Sequence, residues 1–276
     1  MDILNLPCKG IIDSHAHYFD KRFDNEYEGG AHRLLTEEVF PSGIEAIINV
    51  GTDPESSSRC IEQAASYEQM YAAVGIHPTD CQRLSGYVDE EVAKIYDLLD
   101  TEEKRIANKI VAIGEIGYDY YWEPVDREKQ RAYFEAQLDM ARRTDLPVII
   151  HDREAHGDCF ETVLKYSDVR GVFHSFSGST EMARELTRRG WYISFSGVIT
   201  FKNARRVREV AASVDKNYIL METDCPYLSP EPHRGRLNYS SRLCHTATAL
   251  AEATGCTVEQ TVELTNANTK RLFGMK

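Results

Sequence analysis

Short β-branched runs alternate with amphipathic segments along the whole chain. The apolar runs predict eight strands: Ile11–Ser14, Ile44–Val50, Tyr71–Gly75, Ile110–Gly114, Pro147–Ile150, Gly171–Phe173, Trp191–Phe195 and Tyr218–Met221. Most are apolar throughout rather than alternating, as parallel strands covered on both faces must be. The gaps carry helical periodicity. Val88, Val92, Ile95 and Leu99 recur on one face, as do Tyr133, Phe134, Gln137, Leu138 and Ala141 after a start at Asp126. Met182 with Leu186, then Val207, Val210, Ala211 and Val214, and then Leu243, Ala247, Leu250 and Ala251 mark three more helices. Start signals are explicit: Asp53-Pro54 reads as a cap followed by proline at the first helical position, and Thr257 with Gln260 as a capping box.

Eight strands, each followed by helix, predict an α/β protein of the (β/α)8 TIM-barrel class, one domain over residues 1–276. A doubly wound open sheet is the runner-up, disfavoured because no glycine-rich phosphate loop follows the first strand.

Composition narrows the class further. No apolar run reaches the ~20 residues of a membrane span, and Met1–Lys9 lacks the basic-then-apolar pattern of a signal peptide. Seven cysteines with no C-x-x-C pair argue against a disulfide framework or zinc ribbon and fit a reducing cytoplasm. The net charge of −12, from 44 acids against 32 bases, disfavours a broad nonspecific nucleic-acid surface. It leaves room for a local site whose positive charge comes from bound cations.

In such a barrel, chemistry gathers at the carboxyl ends of the strands. Read there, the chain offers His15 and His17 after strand one, His77 after strand three and Glu115 after strand four. His151 follows strand five, His174 strand six, and Glu222 and Asp224 strand eight. His15 and His17, two residues apart on a strand, point to one face. Four imidazoles and two carboxylates exceed the needs of one tetrahedral ion, which suggests two divalent ions with Glu115 bridging them. Asp224 would ligate one ion and take a proton from its water.

These residues sit in motifs that resemble the TatD-type deoxyribonucleases, metal-dependent hydrolases among the amidohydrolase-like barrels. The motifs are Ile12-Asp13-Ser14-His15-Ala16-His17, Gly75-Ile76-His77-Pro78, Gly114-Glu115-Ile116-Gly117-Tyr118-Asp119-Tyr120 and Pro147-Val148-Ile149-Ile150-His151. Further along come Phe173-His174-Ser175-Phe176, Met221-Glu222-Thr223-Asp224-Cys225-Pro226 and Pro232-His233-Arg234-Gly235. They occur in order and cover nearly the whole chain. The resemblance implies hydrolysis of nucleic-acid phosphodiesters, commonly from the 3′ end of single strands, with DNA (or RNA) ends as substrate and no membrane or obligate protein partner. It implies two divalent ions (Zn, Mn or Mg) on His15, His17, Glu115, His151, His174 and Asp224. It places Glu222 beside Asp224, His77 and Arg234 near the substrate phosphate, and Tyr118, Tyr120 and Tyr227 where a terminal base could stack. The chain departs from the family where Arg236-Leu237-Asn238 leads into Tyr239-Ser240 rather than Asn-Glu-Pro.

Other features take blander readings. The arginine pairs at Arg142, Arg188 and Arg205 suit helix ends and polar helix faces, the cysteines suit small apolar core positions, and Asp24–Gly30 reads as a surface loop. A lactone, amide or small phosphoester hydrolase is the alternative chemistry, since one barrel hosts many reactions. A silent scaffold is disfavoured because no ligand position is lost.

Overall fold

The computed structural model describes residues 9–275. Eight strands follow one another in one sheet in chain order: β1 (Ile11–Ala16), β2 (Ile44–Val50), β3 (Met70–Val74), β4 (Ile110–Asp119), β5 (Val148–Arg153), β6 (Gly171–Phe173), β7 (Tyr192–Phe195) and β8 (Ile219–Met221). With helices between them, this is the connectivity of the (β/α)8 class. Strand interiors are buried almost throughout, as their unbroken apolar runs require.

The chain divides into two compact units, one running to Ile48 together with Gly178–Arg271, the other Asn49–Ser177 with Leu272–Met275. In the second unit β3, β4, β5 and β6 pair in parallel. Its helices bury the stripes expected of them: Val88–Leu99 covers Val92, Ile95 and Leu99, and Arg127–Thr144 covers Tyr133, Phe134, Leu138 and Ala141. Asp53 caps helix Pro54–Ser66 through a reciprocal bond with Ser56, and Asp126 caps Arg127–Thr144.

In the first unit β7 pairs in parallel with β8, and Ala16 at the end of β1 bridges to Cys225 just beyond β8. Thr257 and Gln260 exchange the two bonds of a capping box ahead of helix Val258–Phe273. The acidic segment expected as a loop is partly helical, over Lys21–Glu26, because Asp20 accepts from the Arg22 amide and starts a turn there. No helix among the described residues is long and apolar enough to cross a membrane.

Two strands run past their expected ends. β4 continues from Gly114 to Asp119 and β5 from Ile150 to Arg153, because the two keep pairing, Gly117 with His151 and Asp119 with Arg153. Gly117 permits this: its φ is +141°, and a Cβ there would stand 2.0 Å from the His151 carbonyl oxygen. Glu115 and His151 therefore lie inside paired strands, corrected from the strand-end positions expected of them. A rigid ladder, rather than a loop, sets their spacing.

Candidate metal centre

Each unit carries its own set of metal-type donors. In the first, β1 delivers His15 and His17. The segment after β8 is fixed against β1 by two backbone bonds, Asp224 N–H to the His15 carbonyl (2.9 Å) and His17 N–H to the Cys225 carbonyl (2.8 Å). The two Nε2 atoms lie 3.0 Å apart, with Asp224 Oδ1 3.6 Å from one and 3.3 Å from the other. Ligands around an ion at Zn–N bonds of 2.0–2.1 Å stand about 3–3.4 Å apart, so this trio has the spacing of a coordination shell. Asp224 holds φ +57°, a left-handed conformation uncommon outside glycine and concentrated at functional sites.

Behind these donors lies a buried polar network. Asp13 accepts from the Thr223 amide (2.9 Å), the Thr223 hydroxyl (2.6 Å) and the Ser240 hydroxyl (2.7 Å). Burial pushes its carboxyl up to about 6 against the lowering effect of those bonds. Ser240 also meets the Tyr18 hydroxyl at 2.8 Å, and Asn238 donates to the Thr223 carbonyl at 3.0 Å. The Asn238-Tyr239-Ser240 departure thus ties the loop to β1 and β8, and the helix beyond it starts at Leu243 after a 3-10 turn. Glu222 is buried, its amide bonded to the Phe195 carbonyl (3.1 Å).

In the second unit Glu115, His151 and His174 converge. Glu115 Oε1 is 2.6 Å from His151 Nδ1 and 2.8 Å from His174 Nε2, and those two nitrogens are 3.2 Å apart. The other edge of His151 meets a second carboxylate. Nε2 lies 3.0 Å from Asp119 Oδ2, and a carboxylate only accepts, so Nε2 carries a proton there. Nδ1 is the ring atom that would ligate a cation held between Glu115, His151 and His174. Burial works against the Asp119 charge, but the bonds from His151 and the Tyr121 amide outweigh it and hold the carboxyl below its ordinary value. Three metal-type donors crowded to this degree suit a cation between them. The carboxylate behind the imidazole is the usual support of a ligating histidine.

His77 joins the same group, its Nε2 3.6 Å from Glu115 Oε1. Its Nδ1 accepts from the Thr79 amide at 3.1 Å, capping the short helix Pro78–Cys81. That leaves Nε2–H pointing inward as a donor. Burial, with the neighbouring His151, lowers its pKa and so disfavours the charged ring.

Helix Arg127–Thr144 clips two of these strand ends by backbone. Gln137 accepts from the Ile76 amide (2.7 Å) and donates to the Ile76 carbonyl (3.0 Å). Gln130, two turns earlier on the same face, does the same for Asp119 (3.0 and 2.8 Å). The periodicity of Gln137 marked it as a core position, but its role is to satisfy backbone groups that the strand ends leave unpaired.

Among the expected substrate residues, Arg234 is exposed, with its guanidinium 4.4 Å over the Phe201 ring. Tyr120 is half-buried; its hydroxyl donates to Asp158 (2.7 Å) and Arg127 lies over its ring. Tyr118 is corrected: it is buried, edge-on to Phe134, with its hydroxyl on Thr162 (3.1 Å), so its ring is a packing element and offers no stacking face. Tyr227 is exposed and donates to Asp20 (2.6 Å). Sequence reasoning missed Asp119 as a supporting carboxylate and the exposed pair Tyr121 and Trp122. The signal for Asp119 was its spacing of four from Glu115 on one strand, which puts both on one face.

The blander readings hold where the structure describes them. Arg142 forms a two-pronged pair with Asp168 (2.6 and 2.7 Å), Arg188 and Arg189 pair with Glu185, and Arg205 with Glu209. Five of the six described cysteines are buried.

Comparison with known proteins gives the family. The family described as TatD related DNase matches residues 12–274. The chain is 37% identical over 266 residues to the "uncharacterized metal-dependent hydrolase YabD" of Bacillus subtilis (strain 168), covering 95% of this chain and 98% of that one. It is 34% identical over 274 residues to the "uncharacterized metal-dependent hydrolase TatD" of Mycobacterium tuberculosis, covering 96% and 98%. Among solved structures, the TatD homologue YjjV of Escherichia coli K12 matches with a TM-score of 0.85 at 28% identity, covering 96% of this chain and 98% of that one.

Proposed function

The chain belongs to the TatD-related DNase family of metal-dependent hydrolases, and from that premise we propose that it cleaves nucleic-acid phosphodiesters, removing nucleotides from the 3′ ends of single-stranded DNA with two divalent ions. The observation that carries this reading is the doubled donor set: His15, His17 and Asp224 in one unit, Glu115, His151 and His174 in the other. One ion needs only three protein ligands and a water. Imidazole and carboxylate donors suit Zn or Mn, and Mg where the carboxylates dominate.

Bound there, the ions supply Lewis acidity toward phosphoryl oxygens and lower the pKa of water. The chain's own groups do the rest. Asp224 accepts the proton of the attacking water, with Glu222 two residues away as a second carboxylate. Glu115, held on the β4–β5 ladder, fixes the donor spacing. The His77 Nε2–H donates to a non-bridging phosphate oxygen, and the planar fork of Arg234 suits two such oxygens. Ions held by these residues would concentrate positive charge locally and let an acidic chain accept a polyanion.

The test is direct. Metal-stripped protein, reloaded with Mn, Mg or Zn, is given a single-stranded oligonucleotide and, separately, a lactone panel. Stepwise release of mononucleotides from the 3′ end, abolished by a chelator, supports the reading. Lactone turnover with an intact oligonucleotide overturns it in favour of a small-ester hydrolase.

A further inference from the structure

The loop after β4 presents two large rings to solvent. Tyr121 is 46% exposed and Trp122 56%, set edge-to-face with centroids 4.9 Å apart. The pair is not loosely hung. Asp119 Oδ1 accepts from both backbone amides, Tyr121 at 2.9 Å and Trp122 at 3.3 Å, while Oδ2 of the same carboxylate receives the His151 Nε2–H. One side chain therefore sets both the imidazole of the donor set and the backbone that carries the rings.

A cation completes the platform. Arg153, two residues beyond His151 on β5, lies with Cζ 3.9 Å over the Tyr121 ring and 5.4 Å from that of Trp122. Its backbone is pinned as well, the Arg153 carbonyl accepting from the Tyr120 amide at 2.9 Å. Arg153 has no carboxylate within ion-pair distance among the described residues, whereas Arg142, Arg189 and Arg205 on helix faces each pair with an acid. Two carboxylates of the same loop are committed elsewhere: Glu123 accepts from the Val125 amide and Asp126 caps the next helix. Exposed aromatic faces beside an unneutralised guanidinium are what single-stranded nucleic acid requires, rings for its bases and a cation for its phosphates.

We propose that Tyr121, Trp122 and Arg153 form a nucleotide subsite, in which a base of a single-stranded 3′ end stacks on Trp122 and the adjoining phosphate meets Arg153. The subsite rests on the nuclease reading of the same site and names what holds the strand in register there. Stacking is sequence-tolerant, because every base has a π-face. The subsite therefore favours strands with bases over abasic ones without selecting among the four.

The experiment compares two oligonucleotides, one complete and one abasic over its last two 3′ residues, in wild-type, Trp122→Ala and Trp122→Phe protein with metal. Wild type prefers the complete strand by about 5- to 100-fold in kcat/KM, the span covered by stacking one base. Trp122→Ala collapses that ratio towards one, and Trp122→Phe restores part of it. Arg153→Gln raises KM and shallows the salt dependence by about one phosphate contact. A second readout is independent of turnover. The chain has two tryptophans, and Trp191 is buried (3% exposed), so quenching of fluorescence by oligo(dT) reports Trp122 and vanishes in Trp122→Phe. Cleavage by wild type with the same ratio in Trp122→Ala, or no quenching at saturating strand, overturns the subsite and leaves the nuclease reading standing. Failure of wild type to cleave either strand overturns the nuclease reading itself.

Discussion

Asp119 Oδ2 sits 3.0 Å from His151 Nε2, and that bond holds the ring with Nδ1 2.6 Å from Glu115 Oε1. Asp119→Asn replaces an acceptor with an amide whose NH2 group can face the ring. It therefore removes the carboxylate that orients the ring through Nε2–H. The expected result is a 10- to 100-fold loss of metal affinity, the usual cost of removing such a supporting group. Competition with a chromogenic chelator measures it, and unchanged affinity contradicts the supporting role of Asp119.

Asp224→Asn separates chemistry from folding. Asparagine tolerates the left-handed backbone at this position nearly as well as aspartate, so the melting temperature should stay close to wild type. Phosphodiester turnover should fall about 10²- to 10⁴-fold, the range of a lost proton acceptor. Turnover within a few-fold of wild type shows that another group takes the proton.

Gln137→Leu keeps the volume of the helix face but leaves the Ile76 amide and carbonyl without their partners. Each unsatisfied buried polar group costs about 1–3 kcal/mol, equivalent to roughly 2–4 °C in melting temperature per kcal/mol in a chain approaching this size. Because Ile76 precedes His77, KM for the oligonucleotide should rise as well. Calorimetry and steady-state kinetics on one preparation check both effects.

Cys256 differs from the other described thiols. The Thr254 side chain and the Lys216 ammonium, 3.2 Å from its sulfur, stabilise the thiolate and lower its pKa, whereas burial raises those of Cys60, Cys81, Cys159 and Cys225. A lowered thiol pKa means the reactive form persists as pH falls below the ordinary value. Alkylation mapped by peptide mass spectrometry should modify Cys256 ahead of those four, and its rate should decline with falling pH at a lower midpoint than for a free cysteine. Replacing Lys216 with Met should move that midpoint up.

The strands were legible because burial on both faces leaves continuous apolar runs, and the helix starts because Asp53, Asp126 and Thr257 carry their capping partners at fixed offsets. The donor residues were legible because polar groups are costly at the ends of apolar strands unless they serve a purpose. What the chain order hid was pairing. Nothing local to Gly117 shows that β4 follows β5 for five more residues, so Glu115 and His151 read as strand-end residues. Tyr118 and Tyr121 are alike in sequence, yet the extended ladder buries the first and the turn bonded to Asp119 exposes the second. The Ser240–Asp13 bond joins residues far apart in the chain and has no local signature.

The central claim is that this chain binds two divalent ions and uses them to cut phosphodiesters. Titrating metal-stripped protein with Mn while following release of the 3′-terminal nucleotide from a single-stranded oligonucleotide tests it most directly. No release is expected without metal, and activity should saturate near two equivalents per chain. Release at full rate in stripped protein with excess chelator, or no release at any Mn concentration from protein that has taken up two equivalents, contradicts it.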